Sequence, residues 1–322
     1  MKPMTRHPGG ITSESGTVQY SVVIPVFDEQ ENLVELYRRL TVVMQGLAAS
    51  YEIIFVDDGS RDESFHIMKT LHEQDPRLKV VKLSRNFGHH LALTAGLDCA
   101  RGEAVILMDA DLQDQPEEIP KLTGKFCQGY DVVYGIRMNR KEGFVRRIAA
   151  YLFLAIMNRV VGSGHFATGG VFRIMSRQVR DELQRCRESS RFVTGLIGWL
   201  GFSQIGVEVE HGARFAGRTK YNLWRLIRLL LNTLTSFSYL PLQFASYLGL
   251  FIALLSLSLG SYVILRWIFV GIPVAGFTSI IVAILFLGAV QLMVLGLIGE
   301  YVGRTYTESQ GRPLYVVKEI LE

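Results

Sequence analysis

The chain has 322 residues and a formal net charge of +4, and 49% of its residues are hydrophobic. This length suffices for one large domain or two, and the apolar content exceeds that of an ordinary soluble enzyme, so we expect membrane segments. Three scattered cysteines, Cys99, Cys127 and Cys186, argue against both a disulfide framework and a zinc site. Met1–Thr17 is polar and lacks the apolar stretch of a signal peptide, so we expect a flexible tail over residues 1–18.

Apolar strands alternate with amphipathic helices between residue 19 and about residue 134. The predicted strands are Tyr20–Val26, Tyr51–Val56, Leu78–Leu83, Ala104–Met108 and Asp131–Tyr134. The predicted helices are Asp28 to about Leu47, Asp62–Glu73, His89–Cys99 and Gln113–Gln128. This alternation is typical of an α/β fold in which a mostly parallel sheet has helices on both faces and right-handed crossovers.

Carboxylates crowd the end of the fourth predicted strand. Asp109 and Asp111 directly follow the apolar run, and a Pro-Glu-Glu helix start comes after them. Open α/β sheets bind ligands outside the carboxyl ends of their strands, and two such aspartates can hold a hard divalent cation that also binds water and phosphate. Aspartates also commonly cap turns and helices, so both interpretations stay open on this pattern alone. A second acidic strand end, Asp57-Asp58-Gly59-Ser60, follows the second strand.

The pattern changes after Tyr134. Phe144–Val161 carries arginines against a broad apolar face, which suits a helix in the membrane interface or a core helix with snorkelling arginines. Two further strands are predicted at Val171–Met175 and Gln204–Val209, with a helix at Arg191–Leu200 between them.

Basic residues form two clusters despite the small net charge. Their members are Arg137, Arg140, Lys141, Arg146, Arg147, Arg214, Arg218, Lys220, Arg225 and Arg228. The second cluster belongs to a basic amphipathic segment, Arg214–Leu231. Both clusters suggest contact with phosphates or anionic lipid headgroups, and we expect no nucleic-acid partner.

Two long uncharged runs predict membrane-spanning helices. Leu229–Leu265 and Trp267–Gly299 contain no charged residue, and each exceeds the roughly 20 residues that a spanning helix needs. Basic residues flank the pair on its outer ends, so the positive-inside rule places the termini and the sheet domain in the cytoplasm. The predicted parts are a tail (1–18), a cytoplasmic catalytic domain (19–212), an interface segment (213–238), two transmembrane helices (about 241–265 and 277–298, within 239–299) and a cytoplasmic tail (300–322).

Six motifs occur in a fixed order between Tyr20 and Pro313. They are V-I-P-V-F-D-E-x-E-N, V-D-D-G-S-x-D, S-R-N-F-G, D-A-D-L-Q-D-x-P-E, F-x-G-R-T-K-Y and G-E-Y-V-G-R-T-Y. In that order they resemble the polyprenyl-phosphate glycosyltransferases of glycosyltransferase family 2, such as bactoprenol glucosyltransferases, undecaprenyl-phosphate aminoarabinose transferases and dolichol-phosphate mannose synthases. Together they are far more specific than a lone D-x-D.

The resemblance implies a GT-A fold, an Mg²⁺ or Mn²⁺ cofactor and inverting transfer of a sugar from a nucleotide sugar to a lipid phosphate. The expected donor is UDP-glucose, with UDP-aminoarabinose derivatives or UDP-N-acetylhexosamines as alternatives, and the expected acceptor is undecaprenyl phosphate. By resemblance the protein is a homotetramer of the bacterial inner (plasma) membrane that serves cell-envelope synthesis, for example of lipopolysaccharide.

Site residues follow from the resemblance by matching position. The expected nucleotide-sugar ligands are Pro25, Asp28, Glu31, Asp57, Asp109, Gln113 and Arg137. Asp109 and Asp111 would hold the metal, and the acceptor phosphate would meet Arg214, Arg218 and Lys220. We expect Asp109, Asp111, Arg218 and Lys220 to carry catalysis. The three basic residues would also suit the donor diphosphate or serve only as positive-inside flanks.

The sequence departs from the family pattern at Val171. Gly170-Val171-Phe172-Arg173 is similar to a Gly-Asp-Phe-Arg stretch of the bactoprenol branch, and Val171 stands where that aspartate would be. A phosphate monoester, with a second pKa of about 6, is already ionised near pH 7 and needs little help from a base. The site instead needs positive charge to bring two anions together. His89 and His90 would suit contact with donor phosphates, although surface histidines on helices are common.

Two other functions compete with this one. A processive polysaccharide synthase shares the early motifs, but it also carries a Q-x-x-R-W helix and more spans, which this sequence lacks. A membrane channel or flippase component with a nucleotide-binding domain would normally place ionisable residues inside its spans, and neither predicted span has one in its middle.

Overall fold

The computed structural model describes residues 18–137, 170–189, 191–212, 240–270 and 276–322. The chain divides into two compact units, one built around a sheet and one containing two long helices. The sheet unit includes Pro313–Glu322, so the chain returns to it after the second long helix. Two predicted segments, Phe144–Val161 and Arg214–Leu231, lie outside the described residues.

The described part of the sheet unit contains eight strands and six α-helices. The strands are β1 (Tyr20–Val26), β2 (Tyr51–Asp57), β3 (Leu78–Leu83), β4 (Ala104–Leu107), β5 (Val132–Arg137), β6 (Arg173–Ser176), β7 (Gln204–Val209) and β8 (Val317–Leu321). The helices are α1 (Leu33–Gly46), α2 (Ser64–Gln74), α3 (His89–Cys99), α4 (Ile119–Phe126), α5 (Arg177–Arg185) and α6 (Val193–Trp199), and a 3₁₀ turn at Pro116–Glu118 precedes α4.

All eight strands form one sheet in the order β7-β5-β6-β4-β1-β2-β3-β8. β1 lies parallel to both β2 and β4, and β2 lies parallel to β3, whereas β6 and β8 are antiparallel to their neighbours. The predicted α/β fold with a mostly parallel sheet is therefore confirmed. The strand order reverses between β1 and β4, and crevices at such a switch point, outside the carboxyl ends of the strands, are where open α/β sheets bind ligands.

The central strands are buried on both faces. Every residue of β1, β2 and β4 is buried, as expected for parallel strands covered by helices on each side. On one face Ile24 and Phe55 pack in the same apolar cluster as Leu36 and Leu40 of α1. α3 packs on β1 and β2, so its first residue, His89, lies near the carboxyl ends of those strands. Burial of each of these large apolar side chains stabilises the folded state by about 1.5–3 kcal/mol.

The structure differs from the sequence interpretation at the end of the chain. Residues 300–322 were expected to form a tail after the second span, but the second long helix continues to Ser309, and Val317–Leu321 then pairs antiparallel with β3. The Tyr315 hydroxyl donates a 2.6 Å hydrogen bond to Asp98 at the end of α3. The helix Arg177–Arg185 was also not predicted, because its polar, arginine-rich sequence has only a narrow apolar stripe.

The second unit contains α7 (Leu240–Val270) and α8 (Phe277–Ser309). Within the described residues one segment, Phe286–Ser309, is long and apolar enough to cross a membrane, with a mean hydropathy of 1.6. The two-helix transmembrane hairpin therefore stays a prediction.

Candidate active site

A cavity of about 350 Å³ opens at the carboxyl ends of the central strands. β1 and the residues after it contribute Pro25, Phe27 and Glu29, and the residues after β4 contribute Asp109 and Asp111. The segment between β3 and α3 supplies a third wall, and Asp58 a fourth. Because β1 and β4 flank the point where the strand order reverses, the cavity occupies the position at which such sheets bind ligands.

Asp58 fixes the segment between β3 and α3. Its carboxylate accepts hydrogen bonds from the backbone N–H groups of Phe87, at 2.7 Å, and Gly88, at 2.9 Å. Only 2% of Asp58 is exposed. Burial raises the pKa of this carboxyl and the two backbone hydrogen bonds oppose the rise. Asp58 therefore places Asn86 and Gly88 on the cavity wall.

The loop after β1 is tied to the loop after β2. Asp28 has a positive φ of 54°, and its carboxylate accepts a 2.8 Å hydrogen bond from the backbone N–H of Arg61. The backbone N–H of Glu29 donates to Ser64 Oγ at 3.0 Å. Asp57 accepts a 3.0 Å hydrogen bond from the backbone N–H of Ser60. These contacts hold Glu29 at the cavity, whereas Asp28 is exposed and does not line the cavity.

Two carboxylates and a histidine lie together on the part of the cavity wall that follows β4 in the chain. His89 Nε2 lies 3.4 Å from Asp109 Oδ1. The backbone N–H of Gln113 donates to Asp111 Oδ1 at 3.2 Å, and the intervening Leu112 has a positive φ of 58°. This tight turn keeps the side chains of Asp109 and Asp111 at one opening of the cavity.

The donor set suits a hard divalent cation that shares its coordination with a ligand. Among the described residues no group of three or more His, Cys, Asp or Glu side chains is arranged to hold a metal alone. Mg²⁺ in phosphate-binding enzymes is typically held by one or two carboxylates together with water and substrate phosphates. The pair Asp109 and Asp111, open to the cavity, fits that pattern.

The structure brings some of the expected site residues together and separates others. Pro25, Asp109 and Asp111 line the cavity. Within the described residues the cavity lining does not include Asp28 and Glu31, which are exposed, nor Asp57, which is fully buried, nor Gln113. Arg137 is the last residue of β5, paired with Val209 of β7. The expected acceptor residues Arg214, Arg218 and Lys220 lie outside the described residues.

Several cavity residues were not expected from the sequence as donor-site residues. They are Phe27, Glu29, Asp58, Asn86 and Gly88. Glu29 lies in the first motif beside the residues that were chosen, and Asn86 lies in S-R-N-F-G, so the motifs contained the signal without saying which side chain faces inward.

Comparisons with known proteins agree with this geometry. Residues 21–184 match the model of Glycosyl transferase family 2. The chain belongs to glycosyltransferase family 2. The resemblance inferred from the motifs is thereby confirmed, and the protein is a glycosyltransferase.

Two relatives of this family 2 enzyme match it over nearly their full length. An uncharacterized glycosyltransferase of Synechocystis sp. is 44% identical over 305 residues, which is 94% of this chain and 96% of that protein. The bactoprenol glucosyl transferase of Shigella phage SfV is 39% identical over 302 residues, covering 94% of this chain and 98% of that protein.

A solved structure shows the same GT-A-like fold. It is glucosyl-3-phosphoglycerate synthase of Mycobacterium tuberculosis in complex with Mn²⁺, UDP-glucose and phosphoglyceric acid, with a TM-score of 0.51 and 20% identity. The match covers 68% of this family 2 chain and 79% of the synthase.

Proposed function

We propose that this enzyme transfers a sugar, with inversion, from a UDP-sugar to a polyprenyl phosphate at the cytoplasmic face of the membrane. One observation carries the proposal: Asp109 and Asp111 lie on the wall of a strand-end cavity whose other walls come from the β1, β2 and β3 ends. The name of the 39% identical relative, a bactoprenol glucosyl transferase, supports a polyprenyl phosphate acceptor and glucose as the sugar. UDP and Mn²⁺ in a structure of the same fold support the donor class.

Different residues of this chain would bind different parts of the donor. Asp109 and Asp111 would hold Mg²⁺ or Mn²⁺, which when bound would stabilise the negative charge that develops on the departing nucleoside diphosphate. Pro25 and Glu29 line the part of the cavity nearer β1 and would face the nucleoside. Asp28, Glu31, Asp57 and Gln113 would then act through the loops that carry them.

The acceptor is proposed to bind through basic side chains. Arg214, Arg218 and Lys220 follow β7 in the sequence and precede the long helices, so a phosphate at headgroup level can reach them while its chain stays in the bilayer. Arg137, at the end of β5, would meet the donor diphosphate. Val171 supplies a backbone carbonyl to Arg173 Nε at 3.3 Å and no carboxylate, which is compatible with an acceptor that is already ionised.

The membrane arrangement belongs to the same proposal. Residues 239–299 would cross the bilayer as two helices, with the catalytic domain (19–212) and the chain ends in the cytoplasm and the segment 213–238 at the interface. This places the acceptor phosphate and the cytoplasmic nucleotide sugar on the same side. A tetramer is also proposed, since small residues such as Gly249, Gly288 and Gly296 permit close helix packing.

The decisive experiment offers a panel of UDP-sugars to the purified enzyme with undecaprenyl phosphate and Mn²⁺ or Mg²⁺. We expect one sugar to enter the organic phase as a glycolipid of the corresponding mass. Asp111→Asn should fold normally and lose at least 100-fold in turnover, on the order of 2.7 kcal/mol in transition-state stabilisation. Glu73→Gln, at an exposed position of α2, is the matched carboxylate control and should be fully active.

Two results would contradict the proposal. The first is a wild-type enzyme that gives no glycolipid with any UDP-sugar. The second is an Asp111→Asn variant that retains wild-type turnover with the same requirement for a divalent cation.

A further inference from the structure

Arg173, the first residue of β6, is a buried charged side chain with an unused hydrogen-bond donor. The residue is 0% exposed. Its Nη2 donates to the Gly170 carbonyl at 2.7 Å and its Nε to the Val171 carbonyl at 3.3 Å, while Nη1 is buried without a hydrogen-bond partner. A buried guanidinium is costly unless acceptors and a counter-charge compensate it. The two backbone carbonyls supply acceptors, but they supply no charge.

The described part of the chain does not cancel the charge of Arg173. No ion pair within the residues that the structure describes includes this side chain. Its own segment offers no acid, because the residue two positions earlier is Val171. Burial lowers the pKa of the guanidinium to about 10, and the neighbouring Tyr134 opposes that fall. Arg173 therefore remains positively charged at neutral pH.

The sheet places Arg173 beside the strand end that leads to the candidate metal ligands. Arg173 pairs in register with Leu107, and Asp109 follows Leu107 by two residues. Two residues of extended chain span at most about 7 Å. The next residue of β6, Ile174, belongs to the apolar cluster that includes α1. Because successive side chains of a strand point to opposite faces, Arg173 lies on the other face of the sheet.

Two histidines connect this charge with the cavity wall. Burial, His89 and the charge of Arg173 together lower the pKa of the His90 imidazole to about 3, so this ring is neutral at pH 7. The His90 ring packs edge-on against Phe192, with centroids 4.9 Å apart, and against His89, with centroids 5.5 Å apart. His89 lines the cavity. An electric field weakens less across packed rings than across water, so the charge of Arg173 acts at the cavity.

The cavity needs positive charge to accept a diphosphate. Among the described residues its lining contains four carboxylates, of Glu29, Asp58, Asp109 and Asp111, and no lysine or arginine. A divalent cation would offset only part of this negative charge. The guanidinium of Arg173 is a second source of positive charge, and its place is fixed by folding.

We propose that Arg173 supplies positive charge to the donor diphosphate through its field, and that this field acts most strongly once the sugar has left. This inference rests on the proposed function. In the transfer an acceptor phosphate oxygen forms a bond to the anomeric carbon, the bond from that carbon to the diphosphate breaks, and its electron pair stays on the diphosphate oxygen. UDP then carries about one more negative charge than the UDP-sugar, because a terminal phosphate has a second pKa of about 6. A fixed positive charge favours the more highly charged form.

Two substitutions separate the charge of Arg173 from its hydrogen bonds. Arg173→Gln removes the charge and keeps an N–H donor for the carbonyls, whereas Arg173→Lys keeps both. Dissociation constants are measured with Mn²⁺ for uridine, UDP-glucose and UDP, which carry increasing negative charge. We expect Arg173→Gln to bind UDP at least tenfold more weakly than the wild type, with a fold loss for UDP-glucose no more than half as large and unchanged affinity for uridine. Arg173→Lys should stay within threefold of the wild type for all three ligands.

Arg191 provides a matched control. It is also buried, at 5% exposure, and its guanidinium donates to the Leu183 carbonyl at 2.7 Å. Burial and Arg187 lower the pKa of Arg191, and Asp98, at the opposite end of α3 from His89, opposes them. Arg191→Gln therefore removes a buried charge with a backbone partner away from the cavity. It should leave the affinities for all three ligands within twofold of the wild type.

Three results would overturn the proposal. The first is an equal fold loss for uridine, UDP-glucose and UDP in Arg173→Gln, which would indicate a structural defect. The second is wild-type UDP affinity in Arg173→Gln. The third is a loss in Arg173→Lys as large as that in Arg173→Gln, which would assign Arg173 to its hydrogen bonds alone.

The binding measurements keep this inference separate from the proposed function. They use no acceptor, so a wild type that makes no glycolipid would refute the proposed function, while the three affinities would still decide the role of Arg173. If Arg173→Gln does not fold, Arg173→Met removes the same charge with an apolar side chain and is judged by the same three affinities.

Discussion

Gly59 is the residue whose lack of a side chain matters most directly to the cavity. It has a φ of +72°, and a Cβ there would lie 2.6 Å from the backbone carbonyl carbon of Arg85 and from the backbone nitrogen of Asn86. A side chain would therefore displace the segment that Asp58 holds and that supplies Asn86 to the cavity wall.

We predict that Gly59→Ala lowers the affinity for UDP with Mn²⁺ at least tenfold. Gly129→Ala is the matched control, since Gly129 also has a positive φ, of +102°, but a Cβ there would meet nothing within 4 Å. The control should lose stability only through backbone strain, on the order of 1 kcal/mol, and should bind UDP normally. Equal UDP affinities in the two variants would show that the close approach of the loops is unimportant. Isothermal titration of each purified variant gives the comparison.

Arg218 and Lys220 are expected to act on phosphate through fixed geometry. A guanidinium offers a planar fork and an ammonium a single movable charge, so the two are not interchangeable at a phosphate site. We predict that Arg218→Ala and Lys220→Ala each reduce lipid glycosylation at least tenfold, about 1.4 kcal/mol or more, with unchanged protein in the membrane. Arg218→Lys and Lys220→Arg should also be impaired, whereas charges that only flank a span would tolerate the exchange. Wild-type turnover of both alanine variants at subsaturating lipid phosphate would shift the acceptor site toward Arg137 and Arg146.

Individual residues differ in how far a sequence can place them. Asp109 and Asp111 were expected at the ligand site because a buried apolar strand ends just before them. Open α/β sheets bind ligands outside the carboxyl ends of their strands. Asp58 was not among the expected site residues, because its partners, Phe87 and Gly88, are about 30 positions away in the chain. Which of Asp28 and Glu29 faces inward depends on the positive φ of Asp28, which the one-dimensional pattern does not specify.

At the level of elements, Asp75 joins three of them at the end of the sheet opposite the cavity. It follows α2 directly, accepts a 2.5 Å hydrogen bond from the Tyr37 hydroxyl of α1, and accepts two from the Arg77 guanidinium, just before β3, at 2.9 and 3.0 Å. Burial alone would raise the pKa of Asp75, but these hydrogen bonds outweigh it and lower the pKa from 3.8 to about 2. The folded state therefore binds this proton less tightly than the unfolded state.

The pH dependence of stability follows from that sign. A carboxyl with a lowered pKa stabilises the fold above its unfolded value, near pH 4, and this contribution is lost as the pH falls through about 2. We predict that Asp75→Asn is less stable than the wild type by roughly 2 kcal/mol at pH 7, and that the difference shrinks between pH 4 and pH 2. Glu73→Gln, exposed two residues earlier, is the matched carboxylate-to-amide control. Unfolding curves across this pH range test it, and a constant difference would contradict the assignment.

Elements were predictable where local pattern decides them. β1, β3 and β7 have the expected bounds, and β2, β4 and β5 differ by a few residues at their ends, because runs of apolar residues identify buried strands. β8 was not predicted, because V-K-E-I-L is short and half exposed and its partner β3 lies more than 230 positions earlier. Its pairing with β3 depends on tertiary structure and cannot be inferred from the local sequence.

At the scale of the whole molecule, the distribution of basic residues predicts the orientation in the membrane. We expect a cysteine introduced at Gly271, between the two long helices, to react with an impermeant thiol reagent added to intact cells. Ser309→Cys, at the end of α8, should react only after the membrane is opened. Cys99, Cys127 and Cys186 of the sheet unit should likewise be protected in intact cells. Labelling at Ser309→Cys from outside would invert the topology and remove access to cytoplasmic nucleotide sugars.

The position of β8 also sets the order in which this protein can be completed during synthesis. β8 is made after both long helices, yet it pairs with β3 and its neighbour Val316 accepts a 2.8 Å hydrogen bond from the backbone N–H of Ser84, at the start of the loop that reaches the cavity. While the ribosome is still translating the apolar helices, β3 has no β8 beside it, and that loop lacks its hydrogen bond to Val316. A nascent chain stalled before Val316 would thus hold an unfinished catalytic domain, and the sheet is completed only after both long helices have been synthesised.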